Sequence, residues 1–156
     1  MNSQPLSTDK SPPISPREGT CRCGGVRMKV TCEPVTTFAC HCRGCQRMTA
    51  SAFSLSALIP IDGLEIVTGA PVRGGAHTDG INHYHCPRCM SWLFTKIDML
   101  PQFVNLRATM FDEPDWSRPR VETMTCEKLD WVTTPAQHSF EQFPSPEEVQ
   151  SLLQLG

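Results

Sequence analysis

Seven of the nine cysteines fall into three short motifs whose spacing suits metal ligation. The central motif, Cys40-His41-Cys42-Arg43-Gly44-Cys45, places three thiols within six residues. The others are Cys21-Arg22-Cys23 upstream and Cys86-Pro87-Arg88-Cys89 downstream. Cysteines this close in the chain rarely suit disulfides, and their odd total also argues against a disulfide framework. Thiolates at such spacings commonly share one metal ion, and zinc is the first choice for a site made of thiolates.

The seven cysteines divide naturally into a set of four and a set of three. A structural zinc takes four ligands in a closed shell, and the two outer motifs together supply four. They are Cys21, Cys23, Cys86 and Cys89. A metal that joins two such distant motifs would contribute directly to folding. The remaining set would leave one position open, which is the mark of a reactive zinc. It consists of Cys40, Cys42 and Cys45.

The charge of the three-cysteine set narrows its chemistry. A zinc ion with three thiolates carries a net negative charge, so it is poorly suited to activating water. It is better suited to holding a further thiol as thiolate, which favours a thiol substrate. The alternative is a fourth protein ligand that closes the shell. The candidates for that ligand are His41, His83, His85, Cys32 and Cys126. Iron–sulfur ligation fits the spacings less well.

The elements that must position these thiols are predicted to be strands. Alternating apolar and polar residues predict strands near 26–30, 35–39, 52–59, 64–67, 81–85, 92–94, 103–108 and 121–126. Residues 69–80 are rich in glycine and predict a loop. Ser145-Pro146-Glu147-Glu148 has the pattern of a capped helix start. We therefore expect a mainly β fold with a short C-terminal helix and no long helix before it.

The length of 156 residues suits one folded domain. We expect a disordered tail over residues 1–17, a zinc-binding domain over 18–134 and a C-terminal extension with the short helix over 135–156. The net charge of −2 gives no reason to expect nucleic acid or an anionic membrane surface as a partner. No apolar run reaches the ~20 residues of a membrane helix, and the N-terminus lacks the apolar segment of a secretory signal. We therefore expect a cytoplasmic protein.

Several residues outside the motifs are predicted to have a structural or a chemical role. His83 and His85 lie on one face of the strand that precedes Cys86, so they could act as proton donors or support a zinc site. Cys32 and Cys126 fit no motif and are predicted to be small buried side chains. Three aromatic residues are predicted to lie in the core. They are Phe53, Trp92 and Trp131.

The three cysteine motifs together resemble those of the GFA/CENP-V family, named for glutathione-dependent formaldehyde-activating enzyme. The matching segments are Cys21-x-Cys23-Gly24-Gly25-Val26, Cys40-His41-Cys42-Arg43-x-Cys45-Gln46-Arg47 with Ala52-Phe53 after it, and Cys86-Pro87-Arg88-Cys89. Weaker agreement continues to Trp131, so the resemblance covers residues 18–134. The chain departs from the family at Met90, where glycine is usual.

The resemblance implies an Mss4-like β fold with two zinc ions and supports the division into a structural and a reactive set. It implies a carbon–sulfur lyase that interconverts S-hydroxymethylglutathione, or a related thiol–aldehyde adduct, with glutathione and formaldehyde. Arg43 and Arg47 flank the reactive motif and could pair with the carboxylates of glutathione. The sequence also fits two other functions: a non-catalytic zinc module that binds a protein partner, and a metal or redox buffer.

Overall fold

Strands dominate the computed structural model, which describes residues 13–75 and 79–154. The strands are β1 Pro13–Thr20, β2 Arg27–Cys32, β3 Thr36–Cys40, β4 Ser54–Pro60, β5 Leu64–Thr68, β6 Val72–Arg73, β7 Ile81–His85, β8 Trp92–Ile97, β9 Phe103–Arg107, β10 Val121–Thr123 and β11 His138–Ser139. The α-helices are α1 Arg43–Thr49 and α2 Pro146–Leu153. Short 3-10 helices lie at Ile61–Gly63, Ala108–Met110, Pro114–Ser117 and Thr125–Glu127.

The strands form two sheets that share one apolar core. The smaller sheet has the order β1-β2-β5, and the larger has the order β11-β10-β3-β4-β9-β8-β7-β6. Pairing is antiparallel except where β10 runs parallel to β3 and to β11. Met28 and Val30 of the smaller sheet belong to the same buried cluster as Ile59, Leu93 and Leu106 of the larger. Burial of these side chains from both sheets is the main apolar contribution to stability.

The register of the larger sheet separates an apolar face from a more polar one. Residues directly opposite each other on antiparallel strands point to the same face. The pair Ala57 and Leu106 lies on the core face, since both belong to the buried cluster. The pairs Cys40–Ser54 and Ser56–Arg107 therefore lie on the opposite face. We call this the polar face. It includes Cys40, Ser54, Ser56, Thr95, Asn105 and Arg107.

The C-terminal helix has the predicted cap. The Ser145 hydroxyl accepts a hydrogen bond from the Glu148 N–H at 3.3 Å, and the Ser145 N–H donates to the Glu148 carboxylate at 2.7 Å. Pro146 occupies the first helical turn, and Leu152 is buried. The prediction of a mainly β fold with a short C-terminal helix is confirmed. No helix in the described part of the chain is long and apolar enough to cross a membrane.

The structure differs from the predicted elements at both ends and in one loop. Residues 13–17, predicted as part of the disordered tail, belong to β1, because this segment pairs with β2 and its Ile14 packs against the core. Residues 1–12 of that tail lie outside the described residues. Val72–Arg73 forms a short strand within the predicted loop. His138–Ser139 of the predicted extension pairs with β10 and so joins the larger sheet.

Candidate metal centres

The two outer cysteine motifs meet as one set of four thiols. The Sγ atoms of Cys21, Cys23, Cys86 and Cys89 all lie within 4.8 Å of one another. The Cys21–Cys23 and Cys23–Cys86 sulfur distances are 3.6 and 3.8 Å. A tetrahedral zinc with Zn–S bonds of about 2.3 Å separates its sulfurs by about 3.8 Å. The arrangement of the four thiols therefore suits a tetrahedral metal ion.

Tight turns aim backbone N–H groups at these sulfurs. The Val26 N–H donates to Cys21 Sγ at 3.2 Å, and the Gly25 N–H donates to Cys23 Sγ at 3.4 Å. Such bonds favour the thiolate over the thiol. In the downstream motif the Met90 N–H donates to the Cys86 carbonyl at 3.0 Å, with Met90 at a φ of 59°. Methionine thus adopts the left-handed conformation that glycine reaches more easily, and the turn forms without a glycine there.

The central motif forms a second set of three thiols. The Sγ atoms of Cys40, Cys42 and Cys45 lie within 4.8 Å of one another. Cys40 ends β3, and Cys42 caps α1 by accepting the Cys45 N–H on its sulfur at 3.2 Å. Sequence analysis missed α1, because its seven residues are too few to show a helical period. The join between strand and helix is what brings the three thiols together.

No fourth protein ligand joins this set among the described histidines, cysteines, aspartates and glutamates. His41 is fully buried, and its Nε2 lies 3.1 Å from the Glu122 carboxylate. His83 Nδ1 lies 2.9 Å from the Thr95 hydroxyl. His85 is buried and stacks on Trp92. None of these histidines belongs to the three-thiol set.

The two cysteines outside the motifs also lie apart from the three-thiol set. Cys32 is buried beside Gly63, as predicted. Cys126 is exposed, so its prediction as a buried side chain is wrong. Its sulfur accepts a hydrogen bond from the Gln142 amide at 3.3 Å on the surface. The three-thiol set therefore has no fourth ligand among the described histidines and cysteines.

The three thiols differ in how readily they ionise. A hydrogen bond from Cys45 lowers the pKa of the Cys40 thiol to about 5, and the same contact raises the pKa of Cys45. Burial raises the pKa of Cys42. One thiolate therefore forms easily, while the second and third are opposed by its charge and by burial. A bound cation removes that opposition, so the donor set suits a metal ion.

A buried carboxylate anchors the centre of this motif. The Glu122 carboxylate accepts hydrogen bonds from Lys128 Nζ at 2.8 Å, the Thr134 hydroxyl at 2.8 Å and the Ser139 hydroxyl at 2.6 Å, and it contacts His41. Burial raises the pKa of Glu122, but these hydrogen bonds outweigh it and lower the pKa to about 2. These contacts link His41, which lies between Cys40 and Cys42 in the sequence, to Glu122 and to the chain that follows β10. Sequence analysis missed this cluster, because its members are distant in the chain.

Substitution Glu122→Gln is expected to destabilise the protein by about 3 kcal/mol, since it removes the charge that a buried network is built around. The folded-state pKa of about 2 lies below the ordinary glutamate value, so the carboxylate's contribution is complete near pH 5 and would be lost only at lower pH. The loss in the variant should therefore be constant between about pH 6 and 8 in urea unfolding. Glu141→Gln is the matched control, because Glu141 is exposed. Equal unfolding midpoints for the two variants would contradict this account.

Arg107 is a second residue that sequence analysis missed. It lies on the polar face, is 5% exposed, and its guanidinium carbon lies 3.8 Å from the centre of the Trp92 ring. Burial lowers the pKa of Arg107 to about 10, against the opposing effect of the Cys45 and Cys40 charges. The side chain therefore stays charged near neutral pH. The sequence shows it only as a charged residue near the end of a predicted strand, which does not indicate a role at the site.

A surface groove along α1 contains both arginines that sequence analysis singled out. It is open to solvent, has a volume of about 640 Å³ and is lined by Arg43, Gln46, Arg47, Ala50, Ser51, Ala52, Leu129 and Trp131. Trp131 is 76% exposed there, so its prediction as a core residue is wrong, whereas Trp92 is buried and Phe53 is half-buried. Gln46 fixes the helix by donating to the carbonyls of His41 at 2.7 Å and Glu127 at 3.0 Å. The groove thus gives Arg43 and Arg47 access to solvent beside the helix that carries Cys45.

Known proteins resemble this chain in sequence and in fold. The family model for glutathione-dependent formaldehyde-activating enzyme matches residues 16–127. A Halomonas elongata protein named "Putative glutathione-dependent formaldehyde-activating enzyme" is 33% identical in an alignment of 129 residues that covers 74% of this chain and 78% of that protein. A Penicillium rubens protein of the same name is 26% identical in an alignment of 106 residues that covers 64% of this chain and 56% of that protein. A crystal structure of a Rhodobacter sphaeroides protein has a TM-score of 0.51 at 19% identity, covering 79% of this chain and 98% of its own, and shows likeness of fold alone.

Proposed function

Because the chain belongs to the glutathione-dependent formaldehyde-activating enzyme family, we propose that it is a zinc-dependent carbon–sulfur lyase. Its substrate would be S-hydroxymethylglutathione or a closely related thiol–aldehyde adduct. The observation that carries this proposal is the set of three thiols within 4.8 Å of one another, with no fourth ligand from the described residues. A set of this kind suits a thiol that arrives from solution.

The two cysteine sets would hold zinc with different roles. The four-thiol set would be structural, since its ligands close a tetrahedral shell and join a turn before β2 to a turn before β8. The three-thiol set would be reactive. Zinc bound there would supply an open position that keeps a thiol ionised at neutral pH. Cys40, Cys42 and Cys45 would hold it, each placed by the β3–α1 join.

The reaction breaks one carbon–sulfur bond in the lyase direction. The hydroxyl of the adduct gives its proton to water or buffer, and its O–H electron pair becomes the second bond of the carbonyl. The carbon–sulfur electron pair leaves with sulfur, so the products are formaldehyde and a thiolate. The reverse direction forms the same bond by attack of the thiolate on formaldehyde. A site that favours a thiolate therefore lowers the barrier to cleavage by stabilising the leaving group.

Arg43 and Arg47 would recognise the carboxylates of glutathione. Both line the groove on α1, the helix that begins within the three-cysteine motif. Arg43 donates to the Gln46 side chain at 2.9 Å, and neither arginine forms an ion pair with the part of the chain that the structure describes. Guanidinium groups pair well with carboxylates, so a peptide thiol would be held beside the reactive set.

The direct test measures exchange of labelled formaldehyde between its free and glutathione-bound forms by NMR magnetisation transfer. We expect the zinc-loaded protein to raise the exchange rate in proportion to its concentration, above the spontaneous reaction. The neutral thiol 2-mercaptoethanol is the comparison, and its rate enhancement should be at least about tenfold smaller, since it lacks carboxylates. Exchange equal to that in buffer would exclude the lyase and favour a non-catalytic metal-binding module that uses the exposed Trp131 groove for a protein partner.

A further inference from the structure

Arg107 is a buried cation without a carboxylate partner in the described chain. It is 5% exposed and forms none of the ion pairs found among the described residues. Among the described residues, its one hydrogen bond runs from Nη2 to the Asn105 carbonyl at 3.4 Å, and its Nε finds no partner there. Removing a guanidinium from water without an anion is costly, by several kcal/mol. Such an arrangement calls for an anion elsewhere on the same face.

The sheet register places Cys40 of the three-thiol set on the same face as Arg107. Cys40 pairs with Ser54, and Arg107 pairs with Ser56, so both pairs lie on the polar face two residues apart along β4. The charges that oppose the effect of burial on the Arg107 pKa are those of Cys45 and Cys40. The sulfurs of Cys40 and Cys45 would therefore be the anions that interact with this guanidinium when a bound cation keeps them ionised.

The guanidinium is held in place rather than left to move. Its carbon lies 3.8 Å from the centre of the Trp92 ring, which packs edge-on against His83 with ring centres 5.0 Å apart. Trp92 Nε1 and Asn105 Oδ1 are also buried without hydrogen-bond partners among the described residues. A fixed charge stabilises a developing anion without reorganisation, which a mobile surface charge cannot do.

The net charge around the three-thiol set would determine which fourth ligand binds there. A divalent ion with three thiolates is already negative, and a fourth thiolate adds another negative charge. We propose that Arg107 is the charge that selects an anionic thiolate over a neutral ligand as the fourth group at Cys40, Cys42 and Cys45. This inference rests on the proposed function. Arg107 acts as a positioning and specificity residue, because it works through the charge of the site.

The test uses full-length protein loaded with cobalt, whose thiolate charge-transfer absorption reports a new sulfur ligand. Wild type and Arg107→Gln are titrated with glutathione and with imidazole, a neutral ligand. We expect the variant to bind glutathione at least about tenfold more weakly and imidazole within about twofold of wild type, since an adjacent charge shifts a thiolate equilibrium by a factor of ten or more. Arg107→Lys, which keeps the charge, should stay within about threefold of wild type for both ligands.

Two further variants keep the test decisive. Arg118→Gln removes the same charge from an exposed arginine and should change neither affinity. Ser56→Asp places a carboxylate opposite Arg107 and keeps the arginine, so it should weaken glutathione binding as Arg107→Gln does. Ser56→Asp takes the place of Arg107→Gln if circular dichroism shows that Arg107→Gln does not fold. Equal weakening of both ligands, or of neither, would overturn the inference alone. A wild type that shows no glutathione-dependent absorption would overturn the proposed function and the inference with it.

Discussion

Substitution of Cys42 by alanine is expected to reduce formaldehyde–glutathione exchange at least about a hundredfold while leaving the protein folded. Cys42 is one of three thiols in the reactive set, and its sulfur also accepts the Cys45 N–H at 3.2 Å. Its loss leaves two thiols, too few to hold a metal with one open position. The loss of the helix cap costs only about 1 kcal/mol, so the fold should survive.

The control for this prediction is Cys126→Ala. Cys126 is exposed and belongs to neither thiol set, so its removal changes cysteine number without touching a candidate ligand. The measurement is the exchange rate at equal protein and zinc concentration, with circular dichroism to establish folding. A folded Cys42→Ala protein that retains the exchange rate of Cys126→Ala would exclude the three-thiol set from the chemistry.

Substitution of Cys89 by alanine is expected to unfold most of the protein at neutral pH. Cys89 belongs to the set that joins the turn before β2, in the smaller sheet, to the turn before β8, in the larger. Structural zinc contributes about 10–16 kcal/mol in small zinc domains, comparable to the whole stability of a typical domain. Removing one of four ligands should forfeit much of that contribution. Addition of a strong chelator to wild type should have the same effect.

Urea unfolding followed by circular dichroism measures this effect, with Cys32→Ala as the matched control. Cys32 is also buried but lies outside both thiol sets, so its loss should cost only about 1 kcal/mol through the small cavity that it leaves. Similar midpoints for the two variants, and a wild type that stays folded in chelator, would show that the four-thiol set does not stabilise the fold.

Short-range patterns made part of this structure predictable. The seven motif cysteines lie close together in sequence, so their spacing alone predicted metal ligation, and the structure brings them together in the same two groups. The capping box at Ser145 and Glu148 is likewise local, and it predicted the C-terminal helix. Strand alternation predicted most strands, because one side of each packs on a shared core.

The remaining features depend on contacts between distant segments. Glu122 acquires its role from His41, 81 residues away in sequence, and from the chain that follows it. Arg107 comes to the polar face through pairing of β9 with β4, a register that no local pattern specifies. The prediction of Trp131 as a core residue is wrong, because an apolar side chain does not reveal whether a core or an open groove surrounds it. Residues that support the site are thus harder to predict than its ligands.

The central claim is that the three-thiol set is an open, thiol-binding metal site. Zinc content per chain, measured by elemental analysis with and without glutathione, tests it most directly on wild type and Cys42→Ala. We expect about two zinc ions per wild-type chain and about one in the variant, with glutathione slowing the loss of one ion from wild type alone. One tightly held zinc in both proteins, unaffected by glutathione, would contradict the claim.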